Sequence, residues 1–146
     1  MRVIAWNRNP RPLAGVEPVG LDQLYRSSDV VSLHLRLTPE TTGMVGAREF
    51  RLMKKGAILL NTARGAVVDE AALLDALTAG TLFGAGLDVF AEEPLPAGHR
   101  LLPLPNVTIT PHCAGITPEA MEAGLRLAVE NIWSFLDHRP LNVVSG

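Results

Sequence analysis

A single cysteine, Cys113, stands among the 146 residues. It excludes an internal disulfide and fits a reducing compartment, so the expected location is the cytoplasm. No apolar run approaches the roughly 20 residues that span a bilayer, and no membrane association is expected. Neither sign of charge prevails: 13 Lys and Arg against 15 Asp and Glu leave a formal net charge of −2. That balance argues against nucleic acid or an anionic membrane as the main partner. The first ten residues, MRVIAWNRNP, read as a strand and a turn and not as a signal peptide. Internal repeats, low-complexity tracts and interdomain linkers are missing too. What is present is ordinary for a globular protein: 47% hydrophobic and 19% charged residues, in a length that fits one domain with a sizeable core.

Strand and helix patterns alternate along the chain. Arg2–Trp6 is a short β-rich run, and the prolines and glycine of Asn7–Gly15 mark a loop. Leu21–Ser27 predicts a short helix and Val30–Leu35 a strand. Thr38–Gly43 is loop, Ala47–Met53 a short helix, and Gly56 stops it before a strand at Ala57–Leu60. Asp69 is a good N-cap for a helix that puts Leu73, Leu74 and Leu77 on one face and closes at Gly80. Gly86–Phe90 and Val107–Thr110 predict two further strands, separated by a proline-rich irregular loop, Glu92–Pro105. Thr117 caps a long final helix with Pro118 in its first turn. That helix runs to about Leu136 with an apolar stripe of Met121, Leu125, Ala128, Val129, Ile132 and Leu136. About five strands alternating with helices predict an α/β fold, a doubly wound parallel sheet with helices on both faces.

Three segments end an apolar run on a charged or imidazole side chain: AILLNTARG (57–65), GAGLDVFAEEP (84–94) and VTITPHCAG (107–115). In an open parallel sheet the carboxyl ends of the strands line one crevice, where ligands bind. Arg64, Asp88 with Glu93, and His112 are therefore expected to meet there. Arg64 can grip a carboxylate bidentately. His112, held after Pro111, can give and take a proton near neutral pH. Glu93 can orient its ring, with Glu92 as competitor, and Asp88 can bond a polar ligand group. His99 and His138 read as structural, whereas His34 at a strand end is within reach of a ligand.

NTARG, DEAALLDAL, DVFAEEP and PHCAG, together with SLHLRLTPETTGMV (32–45), resemble the D-isomer-specific 2-hydroxyacid dehydrogenases over essentially the whole chain. The resemblance implies Arg64 for the substrate carboxylate and carbonyl, His112 as general acid/base, and Glu93 as its carboxylate partner. It implies Asp88 for the nicotinamide carboxamide, with Thr62, Ala63 and the His112–Gly115 turn lining the cofactor. It further implies a Rossmann-like fold and hydride transfer between NAD(P) and a small 2-oxo or 2-hydroxy acid. Glu93 argues against the formate dehydrogenase branch, where glutamine is expected. A dinucleotide-sensing or corepressor-like binding module without turnover is the alternative. Relatives are often dimers, which leaves a homodimer as a candidate assembly.

Three features depart from the family pattern. The glycine-rich G-x-G-x-x-G phosphate loop and the first strand are lacking, as is the substrate domain. Residues 1–146 thus read as a partial dinucleotide-binding domain whose isolated chain is expected to be inactive. The vacated central slot, roughly 9.6 Å wide at about 4.8 Å per strand, parts Arg2–Trp6 and Val30–Leu35 from the strands beginning near Ala57 and predicts a gap, a shifted pairing or a partner strand filling it. At the end of the second strand of the fold, where NAD-preferring members carry an acidic residue, stands Asn7 followed by Arg8, which favours NADP over NAD. Arg36 replaces a proline common in the cofactor loop.

Overall fold

The computed structural model describes residues 1–144. Contacts divide the chain into two compact units, Met1–His112 and Cys113–Gly146. Six short strands lie in the first unit, every pair of them parallel, in two separate ladders. The smaller joins β1 (Val3–Ala5) to β2 (Val16–Pro18). The larger has the order β3–β4–β5–β6, formed by Val30–Leu33, Ile58–Asn61, Gly84–Leu87 and Val107–Ile109. Between the strands run α1 (Leu21–Ser27), α2 (Ala47–Leu52) and α3 (Glu70–Thr78).

The break in the sheet is present, but in a different place. Val30–Leu33 pairs residue by residue with Ile58–Asn61, so it belongs with the strands after Ala57 and not with β1. The partner of β1 is Val16–Pro18, a stretch with no strand signal of its own. It is three residues long, ends in proline and exposes two of its residues. Those properties suit an edge strand, where a missing N–H is tolerated.

Helix limits follow local chemistry. The Asp69 carboxylate accepts from the Ala72 N–H at 3.1 Å, which satisfies one of the first-turn donors of α3. Leu73, Leu74, Ala76 and Leu77 of that helix are buried, and Gly80 takes φ +67° just beyond it. Leu59, Val45 and Val67 are wholly buried and form one core cluster with Phe50, Leu82 and Leu101. Each such side chain contributes on the order of 1.5–3 kcal/mol.

The second unit contains α4 (Pro118–Leu136), capped by Thr117, whose hydroxyl accepts from the Ala120 N–H at 3.1 Å. None of its residues is buried, although the apolar stripe is where the spacing puts it. No helix among the described residues is long and apolar enough to cross a membrane.

Candidate active site

The carboxyl ends of β4, β5 and β6 carry the chemistry. β4 ends on Asn61, buried to 1% exposure. Its side chain closes the turn that follows: Oδ1 accepts from the Ala63 N–H at 3.1 Å, and Nδ2 donates to the Arg64 carbonyl at 3.0 Å. This Asx turn fixes the backbone through Thr62, Ala63 and Arg64 and leaves the Arg64 side chain exposed. Its Nη1 donates to the Ala63 carbonyl at 2.6 Å. Gly65 then lies against the backbone of Phe90, so close that a Cβ would overlap the Phe90 carbonyl. That contact seats the Arg64 turn on the segment that follows β5.

Asp88, the first residue after β5, is buried. Its N–H donates to the Asn61 carbonyl at 3.0 Å, and its carboxylate accepts from the Thr110 hydroxyl at 2.5 Å. Glu93 is tied at both oxygens. Oε1 accepts from the Phe90 N–H at 2.9 Å, and Oε2 lies 2.7 Å from Nδ1 of His112. His112 itself takes φ +52°, a left-handed conformation that costs a non-glycine residue about 1–3 kcal/mol and that clusters at functional sites. The bond from His112 holds the Glu93 carboxyl below the usual glutamate range, and the Phe90 N–H adds to it. Desolvation opposes the shift, while the charges of His112 and Arg64 reinforce it. Arg64 follows β4, Glu93 follows β5 and His112 follows β6, so the three come after the carboxyl ends of neighbouring strands in one ladder. The carboxylate on His112 is that of Glu93, whereas Glu92 is simply exposed.

The remaining candidates are spread more widely. Exposed His34 follows β3, with its Nε2 2.9 Å from the Ser32 hydroxyl. Asn7 and Arg8 follow β1 in the other ladder. Both are exposed, and the Asn7 side-chain oxygen accepts from the Asn9 N–H at 3.3 Å. Gly115 falls in the second unit. Polar groups at the ends of β1 and of β3–β6 suit the two ends of a dinucleotide, and the buried, oriented Asp88 carboxylate suits an amide donor. The sequence holds no G-x-G-x-x-G turn for the pyrophosphate between them. Asn61 and Thr110 are positioning groups to which the sequence reading assigns no role. An asparagine opening a tight turn is itself an Asx signal; Thr110 carries no local sign.

Residues 1–114 match the D-isomer specific 2-hydroxyacid dehydrogenase, NAD binding domain. Glycerate dehydrogenase of Methylorubrum extorquens is 46% identical over 148 residues, which cover 100% of this chain and 46% of that protein. A solved structure from Thermus thermophilus superposes with a TM-score of 0.90 at 49% identity, over 99% of this chain and 46% of that one. The NADPH-dependent glyoxylate/hydroxypyruvate reductase of Sinorhizobium meliloti, solved with NADP and sulfate, gives a TM-score of 0.89 at 34% identity. It is covered to 48%, against 99% of this chain. The chain thus spans about half the length of the relatives it matches. Strand-end chemistry, parallel topology and sequence converge, and the chain belongs to the D-isomer specific 2-hydroxyacid dehydrogenase family.

Proposed function

We propose that this chain is the cofactor-binding part of an NAD(P)-dependent oxidoreductase that interconverts small 2-oxo and 2-hydroxy acids. The observation that carries the reading is the 2.7 Å contact between His112 and Glu93, with Arg64 following β4, the strand next to the one that Glu93 follows. The nicotinamide, when bound, supplies or accepts the hydride. Asp88 would hold its carboxamide, Thr62 and Ala63 would line it, and His34 would border the cofactor along the same edge.

The substrate is handled by the chain's own charges. Arg64 grips the carboxylate through its planar fork and so orients the C2 carbonyl. His112 delivers a proton to the C2 oxygen from Nε2 during reduction and removes it during oxidation. Glu93 accepts a hydrogen bond from Nδ1–H, fixes the ring and offsets the charge that the imidazole carries when doubly protonated. Its own double anchorage keeps it ionised for that task.

Asn7 beside Arg8 accommodates a ribose 2′-phosphate better than an acidic residue would, so NADP is the favoured cofactor. By itself the chain, with no glycine-rich turn, binds the dinucleotide weakly and does not turn over. Titrating the 146-residue protein with NADPH tests this, and tight binding contradicts it.

The catalytic reading is tested by joining the chain to the remaining part of the M. extorquens glycerate dehydrogenase. The hybrid is expected to reduce glyoxylate or hydroxypyruvate, faster with NADPH than with NADH. His112→Ala is expected to lower that rate about 10²–10⁴-fold. A folded hybrid without turnover overturns the assignment, and a strong NADH preference overturns the cofactor choice.

A further inference from the structure

His99 is read from sequence as structural, yet four hydrogen bonds meet on it. Its N–H donates to the Pro96 carbonyl at 2.9 Å, and its carbonyl accepts from the Leu102 N–H at 3.1 Å. Ring Nδ1 accepts from the Leu101 N–H at 3.3 Å. Because Nδ1 is an acceptor, Nε2 carries the hydrogen, and it donates to the Glu70 carboxylate at 2.9 Å. Both side chains are partly buried, at 17% and 31% exposure, which strengthens the bond relative to an open surface pair.

The position of this bond gives it meaning. Glu70 opens α3 six residues after Arg64, and His99 lies six residues after Glu93. We infer that His99 is a positioning residue: its bond to Glu70 fixes the loop that carries Glu93 against the segment that carries Arg64. The loop between β5 and β6 has no secondary structure of its own, and its apolar anchor, Leu101, is buried two residues beyond His99. The Gly65–Phe90 contact clamps the near end of the loop. The His99–Glu70 bond clamps the far end, and Glu93 lies between the two. The inference rests on the reading that Glu93 and His112 form the proton-handling pair.

The experiment reads that pair by NMR on the 146-residue protein, without cofactor or turnover. The His112 Nδ1–H resonance and the midpoint of the Glu93 carboxyl titration are followed. Glu70→Ala severs the bond from one side. His99→Asn severs it from the other, while its amide oxygen still serves the Leu101 N–H. Both are expected to lose the His112 resonance to exchange with water and to raise the Glu93 midpoint to the ordinary glutamate value. His99→Gln, whose amide nitrogen reaches Glu70, is expected to restore both signals. Signals unchanged in Glu70→Ala and His99→Asn overturn the inference. So does global unfolding of both variants, which makes the bond a general structural contact. Absence of the resonance from the unsubstituted protein overturns the Glu93–His112 pair itself, and with it the proposed function.

Discussion

Replacing one hydrogen on Gly65 with a methyl group puts a Cβ inside the Phe90–Ala91 peptide, where the nearest atoms are all backbone and no flexible side chain can yield. Gly65→Ala is therefore expected to destabilise the protein by about 3 kcal/mol or more, at the upper end for overpacking. A urea midpoint within error of the unsubstituted protein refutes the contact. The Glu93 carboxyl makes a second prediction at this scale. Its folded value is depressed by the His112 bond first and the Phe90 N–H second. Its contribution is therefore fully present above the unfolded value of about 4.3 and is lost as pH falls through the lower folded value. The difference in urea midpoint between the protein and Glu93→Gln should stay level from pH 7 to about 5 and close at lower pH; one that persists at pH 3 contradicts the assignment. Arg64, Asp88, Glu93 and His112 are legible in sequence because each ends an apolar run with a group that needs a partner. Asn61 and Thr110 are not, because their value lies in what they hold, the Arg64 turn and the Asp88 carboxylate.

Among elements, legibility follows the strength of local chemistry. The spacing predicts α1 over Leu21–Ser27, and the structure has it there. Asp69 caps α3 as its side-chain chemistry demands, so Asp69→Ala should cost about 1 kcal/mol. Chemical denaturation checks this, and a neutral substitution means that the cap contributes nothing. Strands are harder to read. β5 begins at Gly84, two residues before the β-rich run, because Gly-Ala-Gly has little strand propensity. What puts these glycines in a strand is close packing. A Cβ on Gly84 would stand 2.7 Å from the Asn106 carbonyl oxygen, and one on Gly86 2.8 Å from Leu60 Cδ2. Such approaches depend on neighbours distant in sequence and leave no periodic trace. β2 is hidden for a related reason, since its strand character comes wholly from pairing with β1.

For the first unit as a whole, the instructive difference between sequence and structure is the position of the break. Alternating patterns make the parallel, doubly wound character readable, but with β2 unseen β1 lacks a neighbour, and Val30–Leu35 falls to it by default. With β2 in place, β1 has its partner and Val30–Leu33 returns to β4. The break then lies between the two ladders, and β3 is the edge of the larger one. An edge strand pairs its backbone on one side only, so N–H groups on its other side meet solvent and exchange readily. Hydrogen–deuterium exchange should therefore divide the strands. Amides in β4 and β5, each flanked by a strand on both sides, are expected to exchange only on global opening, several orders of magnitude more slowly than the unpaired amides of β3. In Val30–Leu33, slow and fast amides should alternate, as they do where successive N–H groups point to opposite sides of a strand. Uniform protection along β3, matching that of β4, means that a further strand covers this edge and that the two-ladder description is wrong.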